Sequence, residues 1–334
     1  MSCSAASDKT YAVVVREAWR DAPASVRLDM TSDQFIFTSP IKDVLRKLRL
    51  RVEELPTRKS KCVIILSGPD GVGKTALVKH FAESFSQSDG EGLDYRPVVI
   101  ASPIGKSDSD TLAKAVISAC NWPVQLRFRS GMPSEDRMNY VLAQCRTRML
   151  ILTRADFLLS DDEKRIASET VRFLVRLLDR SSLIVTLVAS PTLSNILNFH
   201  PKLRGKLSTL FLGPIPYGRR WYKALEQYDA GIPFESGSLT VKGMPEMLHL
   251  GSEGRLPCLS RLTRDAGRFA LSGAKRSDRI LKEHFEKAFS EFRPQQPNPF
   301  SGDRDPSSLL AEIGRRSSGM PEHFGPTDNE KRNA

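Results

Sequence analysis

Several things are scarce in this 334-residue chain, and each scarcity narrows the reading. No run of residues is long and apolar enough to span a bilayer, so no membrane is expected among its partners. Met1–Asp8 lacks the charged-then-apolar layout of a signal peptide. The five cysteines (Cys3, Cys62, Cys120, Cys145 and Cys258) are scattered, odd in number and without a C-x-x-C pair. Cys62 lies in an apolar strand and Cys120 ends an apolar helix, so these read as reduced, mostly buried thiols of a cytoplasmic protein. Acid is short too: 39 Asp and Glu against 50 Lys and Arg leave a net charge of +11. That surplus points to a polyanionic partner, nucleic acid first and an anionic membrane surface second; a merely soluble basic protein fits it equally. The apolar share of 40% is enough for a packed core, in one large domain or two smaller ones.

What is present is a complete G-x-x-x-x-G-K-[ST] motif: Gly68, Pro69, Asp70, Gly71, Val72, Gly73, Lys74 and Thr75. Cys62–Leu66 before it reads as a buried strand, and Leu77, Val78, Phe81 and Phe85 after it recur at helical spacing. Strand, glycine loop and helix are what a P-loop requires. Glycines let consecutive N–H groups curl around one phosphate chain, and the helix N-terminus adds partial positive charge. Lys74 reaches the β- and γ-phosphates, and Thr75 offers its hydroxyl to Mg²⁺. The expected ATP-binding set runs from Gly68 through Ala76.

The flanking pattern is α/β. A basic amphipathic helix carries Ile41, Val44, Leu45, Leu48 and Val52, interleaved with Lys42, Arg46, Lys47, Arg49 and Arg51. Strands are expected at 97–101, 149–152, 183–189 and 210–212, with helices opening near Ser109 and Pro133 and running from Asp161 to Arg180. Such alternation predicts a parallel sheet covered on both faces, with ligands at the C-terminal strand ends. The extra strand between the P-loop and Met149 favours the additional-strand branch of P-loop ATPases. From Gly254 to Phe289 a helical lid is expected, with Leu259, Leu262, Ala266, Phe269 and Ala270 on one face. Arg261, Arg264 and Arg268 fall on the other, followed by Lys275, Arg276 and Arg279. That stripe is a DNA-facing surface, a solvated face or a subunit contact. From Pro294 on, Pro, Gly, Ser and charge predict disorder, within which Pro297–Phe300 is a docking peptide or an inert tail.

In the order of its parts the chain resembles the TniB/TnsC-like AAA+ ATPases that regulate DNA transposition. The likeness spans roughly 35–289. Its carriers are Phe37-Thr38-Ser39-Pro40, the P-loop, Arg96–Pro103, Met149–Leu152, Val188–Leu193, Pro201–Leu207 and Ser252–Ala266. The resemblance implies a three-layer AAA+ sandwich with a parallel sheet and a small C-terminal helical lid. Its expected divisions are an N-terminal arm, partly disordered (1–34), a nucleotide core (35–215), a lid (216–290) and a disordered tail (291–334). It also implies a homo-oligomer assembled with ATP on double-stranded DNA, linking a target-selection protein to a transposase.

Three of the family's positions are altered. The strand at 149–152 should be followed by two acids, one supporting Mg²⁺ and one orienting the attacking water, but Thr153-Arg154 stands there. Arginine cannot act as a base, and it puts positive charge where Mg²⁺ would sit, so weak Mg²⁺ dependence is expected. Asp156 serves as the acid only if the register is shifted. The arginine-finger segment reads Lys206-Leu207, with Arg204 as a nearby substitute, and Ser190 holds the first sensor position. Arg255 and Arg261 are the two candidates for a second sensor in the lid. The alternatives to a cycling regulator are a non-hydrolysing nucleotide-bound scaffold and another P-loop enzyme, such as a small-molecule kinase. The strand order weighs against the kinase.

Overall fold

The apolar runs form one parallel sheet in the computed structural model, which describes residues 19, 22–54, 62–85, 95–102, 109–121, 131–158, 168–180, 183–198, 203, 205–272 and 277–318. In chain order the elements are α1 (Ala24–Asp33), α2 (Ser39–Glu54), β1 (Val63–Ser67), α3 (Lys74–Glu83), β2 (Val98–Ala101) and α4 (Ser109–Ala119). Next come α5 (Ser134–Gln144), β3 (Met149–Leu152), a 3-10 turn (Ala155–Leu158), α6 (Ser168–Arg180), β4 (Ile184–Ala189), α7 (Pro191–Asn198) and β5 (Leu207–Phe211). The chain continues with α8 (Arg219–Gly231), α9 (Met244–Ser252), α10 (Leu256–Ser272), α11 (Lys282–Phe292) and α12 (Pro306–Ser318). They fall into two units, one of residues 39–213 and one joining 1–38 to 214–334.

In the first unit the strand order is β2-β3-β4-β1-β5, every neighbouring pair parallel. Val63 stands opposite Val185 on one side and Leu207 on the other. Every residue of β1, β3 and β4 is buried, as continuous apolar runs must be in a sheet with both faces covered. Side chains alternate between faces, so Val63, Ile65, Leu150, Leu152, Val185 and Leu187 join one core with Phe173, Leu174 and Leu177 of α6. The extra strand expected between the P-loop and Met149 is β2, at one edge of the sheet, and the strand that lies between β1 and β3 is β4. One expectation shifts and one is met only over the described residues. β5 begins at Leu207, not Leu210, because Ser208 and Thr209 interrupt its apolar run at a half-exposed sheet edge. The helix expected from Asp161 is seen from Ser168, its first part lying outside the described residues.

The second unit is helical, around Trp221, Tyr228, Phe285 and Phe289, all at most 2% exposed. The N-terminal α1 belongs to it: buried Arg27 bonds the Pro233 carbonyl (3.0 and 2.7 Å) and Asp278 (2.6 Å) and lies over the Phe234 ring. The disorder expected from residue 291 is corrected through Ser318. Phe300 is fully buried, stacked on Phe285 with centroids 5.4 Å apart, and α12 buries Leu309 and Ile313. Asn298 fixes the approach by donating to the Glu286 carbonyl (2.8 Å) and accepting from the Phe300 N–H (2.9 Å). Pro297–Phe300 is therefore an internal anchor, not a free docking peptide: Phe300, Leu309 and Ile313 leave water together, and their combined burial offsets the ordering of this segment. Residues 319–334 lie outside the described residues.

Candidate phosphate-binding site

Strand β1, between β4 and β5, carries the loop out at the C-terminal end of the sheet. Leu212, just past β5, donates its N–H to the Ser67 carbonyl (2.8 Å), which brings the two backbones together as the loop begins. A Cβ on Gly68 would stand 2.0 Å from the Leu212 carbonyl oxygen, so no side chain fits there. Gly73 then takes φ 98°, a left-handed conformation that costs other residues strain. As the N-cap of α3 it contributes no side-chain oxygen, and no side-chain cap bond closes the helix. The first-turn N–H groups thus face outward with the positive end of the helix dipole.

Lys74 is 9% exposed, and its Nζ donates to the carbonyls of Gly68 (2.5 Å) and Pro69 (2.9 Å). Burial pushes its pKa down, opposed by the charges of Asp70 and then Asp156. Asp70 is almost fully exposed, its carboxylate 3.7 Å from Nζ. Thr75 and Ala76 are exposed on the first turn of α3, whereas Val72 packs inward.

The end of β3 is built differently. The Thr153 N–H bonds the Ala101 carbonyl (3.0 Å), and its buried hydroxyl pairs with the Ser102 hydroxyl at 2.5 Å. Arg154 then turns to φ 55° and is exposed, ending the strand conformation. The 3-10 turn that follows returns Asp156 toward β4. Its carboxylate accepts the Ser190 N–H (3.1 and 3.3 Å) and the Ser190 hydroxyl (2.5 Å). Because β4 adjoins β1, this pair stands next to the loop, near enough for Asp156 to raise the pKa of Lys74. The structure therefore brings Lys74, Asp156 and Ser190 together and leaves Thr153 on Ser102. Ser102 was not foreseen; its place immediately after a strand was the available signal.

The remaining expected residues lie elsewhere. The Lys206 carbonyl accepts the Val63 N–H (2.8 Å), so Lys206 sits at the opposite end of β1 from the loop. At about 3.3 Å per residue the strand separates them by about 13 Å. Lys206 cannot serve the loop of its own unit. Arg204 lies outside the described residues, as do Lys275 and Arg276. Within the helical unit, Arg255 pairs with Glu253 (3.2 Å). Arg261 covers the Phe292 ring at 4.5 Å, and Arg268 pairs with Glu291. Two of the three stripe arginines are thus already engaged.

A five-stranded parallel sheet in this order, with a glycine loop leaving the interior strand β1, defines the AAA+ P-loop fold. Solved structures agree on the fold. The Aeropyrum pernix ORC1 protein in complex with DNA has a TM-score of 0.56 at 17% identity, covering 87% of this chain and 81% of that one. Cdc6p from Pyrobaculum aerophilum has a TM-score of 0.56 at 13% identity, covering 79% and 70%. The Aeropyrum pernix ORC2 protein, solved as ADPNP–ADP complexes, has a TM-score of 0.53 at 22% identity; the match covers 73% of this chain and 65% of the length of ORC2. No curated protein matches the chain. The family model described as "Bacterial TniB protein" matches residues 27–205, more than half of the chain, and the protein belongs to the TniB family.

Proposed function

We propose that this protein binds ATP at the Gly68–Ala76 loop and uses it to set an assembled state on double-stranded DNA. It would act in the cytoplasm as a homo-oligomeric regulator of transposition, between a target-selection protein and a transposase. The observation that carries the reading is the loop: a backbone approach that excludes any Cβ at Gly68, an uncapped α3 N-terminus and a buried ammonium on Lys74. Together they fit a chain of phosphates. Family membership and the +11 charge support the DNA half.

The donor set also fits Mg²⁺, which takes one or two carboxylates with phosphates and waters. The exposed Thr75 hydroxyl and the Asp156 carboxylate would hold it. The ion supplies charge neutralisation at the phosphates. Turnover is another matter. Hydrolysis wants a group that orients and deprotonates water, and Arg154 accepts no proton. The reading is therefore of a switch worked by binding, with hydrolysis slow or absent.

The test is titration of labelled ATP and of a random-sequence duplex with wild type and Lys74→Ala. ATP affinity is expected to fall about a hundredfold in the variant, the worth of charge-assisted hydrogen bonds. Duplex binding is expected to need ATP, to fall steeply with salt and to be lost in Lys74→Ala. Undiminished ATP affinity in the variant would sink the nucleotide assignment. Duplex binding indifferent to ATP would sink the switch.

A further inference from the structure

β5 ends the sheet, and among the described residues no strand lies beyond it. Its hydrogen bonds to β1 fix which way each peptide unit faces. The Lys206 carbonyl and the Leu212 N–H both turn to β1. Peptide orientation alternates along a strand, so the N–H and C=O groups of Leu207 and Thr209 turn to the open edge. Alongside runs a groove of about 360 Å³ between this edge and α2, floored by Ile64 and Leu210 and lined by Lys47, Leu50 and Arg51. Leu50 is 42% exposed, unusual for a leucine on an otherwise amphipathic helix. Lys47 shares Asp43 with Arg46. Among the described residues no acid pairs with Arg51.

An open strand edge, an apolar floor and a cationic wall suit one kind of occupant. The geometry points to an extended peptide of a partner protein that adds a strand to β5, sets apolar side chains against Leu50 and Leu210 and places carboxylates at Lys47 and Arg51. Strand addition draws affinity from main-chain bonds and selectivity from alternate side chains. Duplex DNA suits the groove less well. A duplex offers no backbone N–H or C=O to a strand edge, and phosphates gain nothing from leucine and isoleucine. The inference is independent of the nucleotide reading.

The test titrates the full chain with a fluorescein-labelled peptide of Val-Thr-Glu-Thr repeats, whose valines and glutamates share one face of a strand, and with its lysine-for-glutamate counterpart. Saturable binding of the acidic peptide is expected, weakened about tenfold by Arg51→Glu and again by Thr209→Pro. Proline at 209 removes one outward N–H and leaves the β1 ladder intact, a substitution that edge strands accept. Thermal melts establish that both variants remain folded, and Arg51→Glu carries the test alone if the proline variant does not. No saturable binding of the acidic peptide, or equal binding of the lysine peptide, overturns the inference. Loss of duplex affinity in Arg51→Glu without peptide binding overturns it too and assigns the groove to DNA. ATP affinity should be unchanged in both variants, which separates failure here from failure of the nucleotide reading.

Discussion

β1 and β3 end on the same side of one sheet, a single strand apart, yet their ends have been treated differently. The end of β1 keeps a full glycine loop, with a close backbone approach at Gly68 and a buried lysine. The end of β3 has Thr153, its hydroxyl bonded to that of Ser102, and an exposed Arg154 in the two positions where the family resemblance led us to expect acids. On the function proposed above, the first set would hold phosphates, and the second lacks the acids expected to act on them. The comparison teaches that holding and acting are built on separate strand ends and can vary separately. The carboxylate that remains, Asp156, is returned by a 3-10 turn to Ser190, within electrostatic reach of Lys74.

The contrast can be broken most forcefully at Gly68. A Gly68→Val side chain meets the Leu212 carbonyl, so we expect about 3 kcal/mol of destabilisation and no measurable ATP binding. A melting curve like that of wild type would show that the approach is looser than described. Next is Asp156→Asn, which keeps an oxygen for Ser190 but removes the charge. With Mg²⁺ present, ATP affinity should drop about tenfold, and the difference between Mg²⁺ and EDTA buffers should shrink. An unchanged affinity with undiminished EDTA sensitivity would remove Asp156 from the site. The smallest effect belongs to Arg154→Ala. An exposed arginine contributes little, so ATP affinity should stay within about twofold by the same titration. A large loss would instead put Arg154 on the phosphates, in the place the ion was expected to occupy.

Much of this site was legible before any coordinates. The loop was, because its eight positions are contiguous and each has a local reason to be there. β1, β3 and β4 were, because strands buried on both faces read as unbroken apolar runs. β5 was misplaced at its start because an edge strand need not be apolar at Ser208 and Thr209. The partnership of Asp156 with Ser190 joins residues 34 apart through a turn, and no periodicity encodes that. α8 and α9 went unassigned although they bury Trp221 and Leu248. Phe300 was missed for a related reason: its neighbours are those of a disordered tail, and its burial depends on rings from α11.

Arg27 and Asp278 are 251 residues apart, and the helical unit that their ion pair closes takes strands of chain from both termini. The sheet unit is one uninterrupted stretch, 39–213. On a ribosome, where domains form as units in order of emergence, that stretch is free to fold while α1 still has nothing to dock against. The buried guanidinium of Arg27 must stay hydrated until Pro233, Phe234 and Asp278 have all been synthesised. The first of the described helices is thus among the last to find its place. A nascent chain halted before Asp278 would carry a finished phosphate loop and an undocked N-terminal helix.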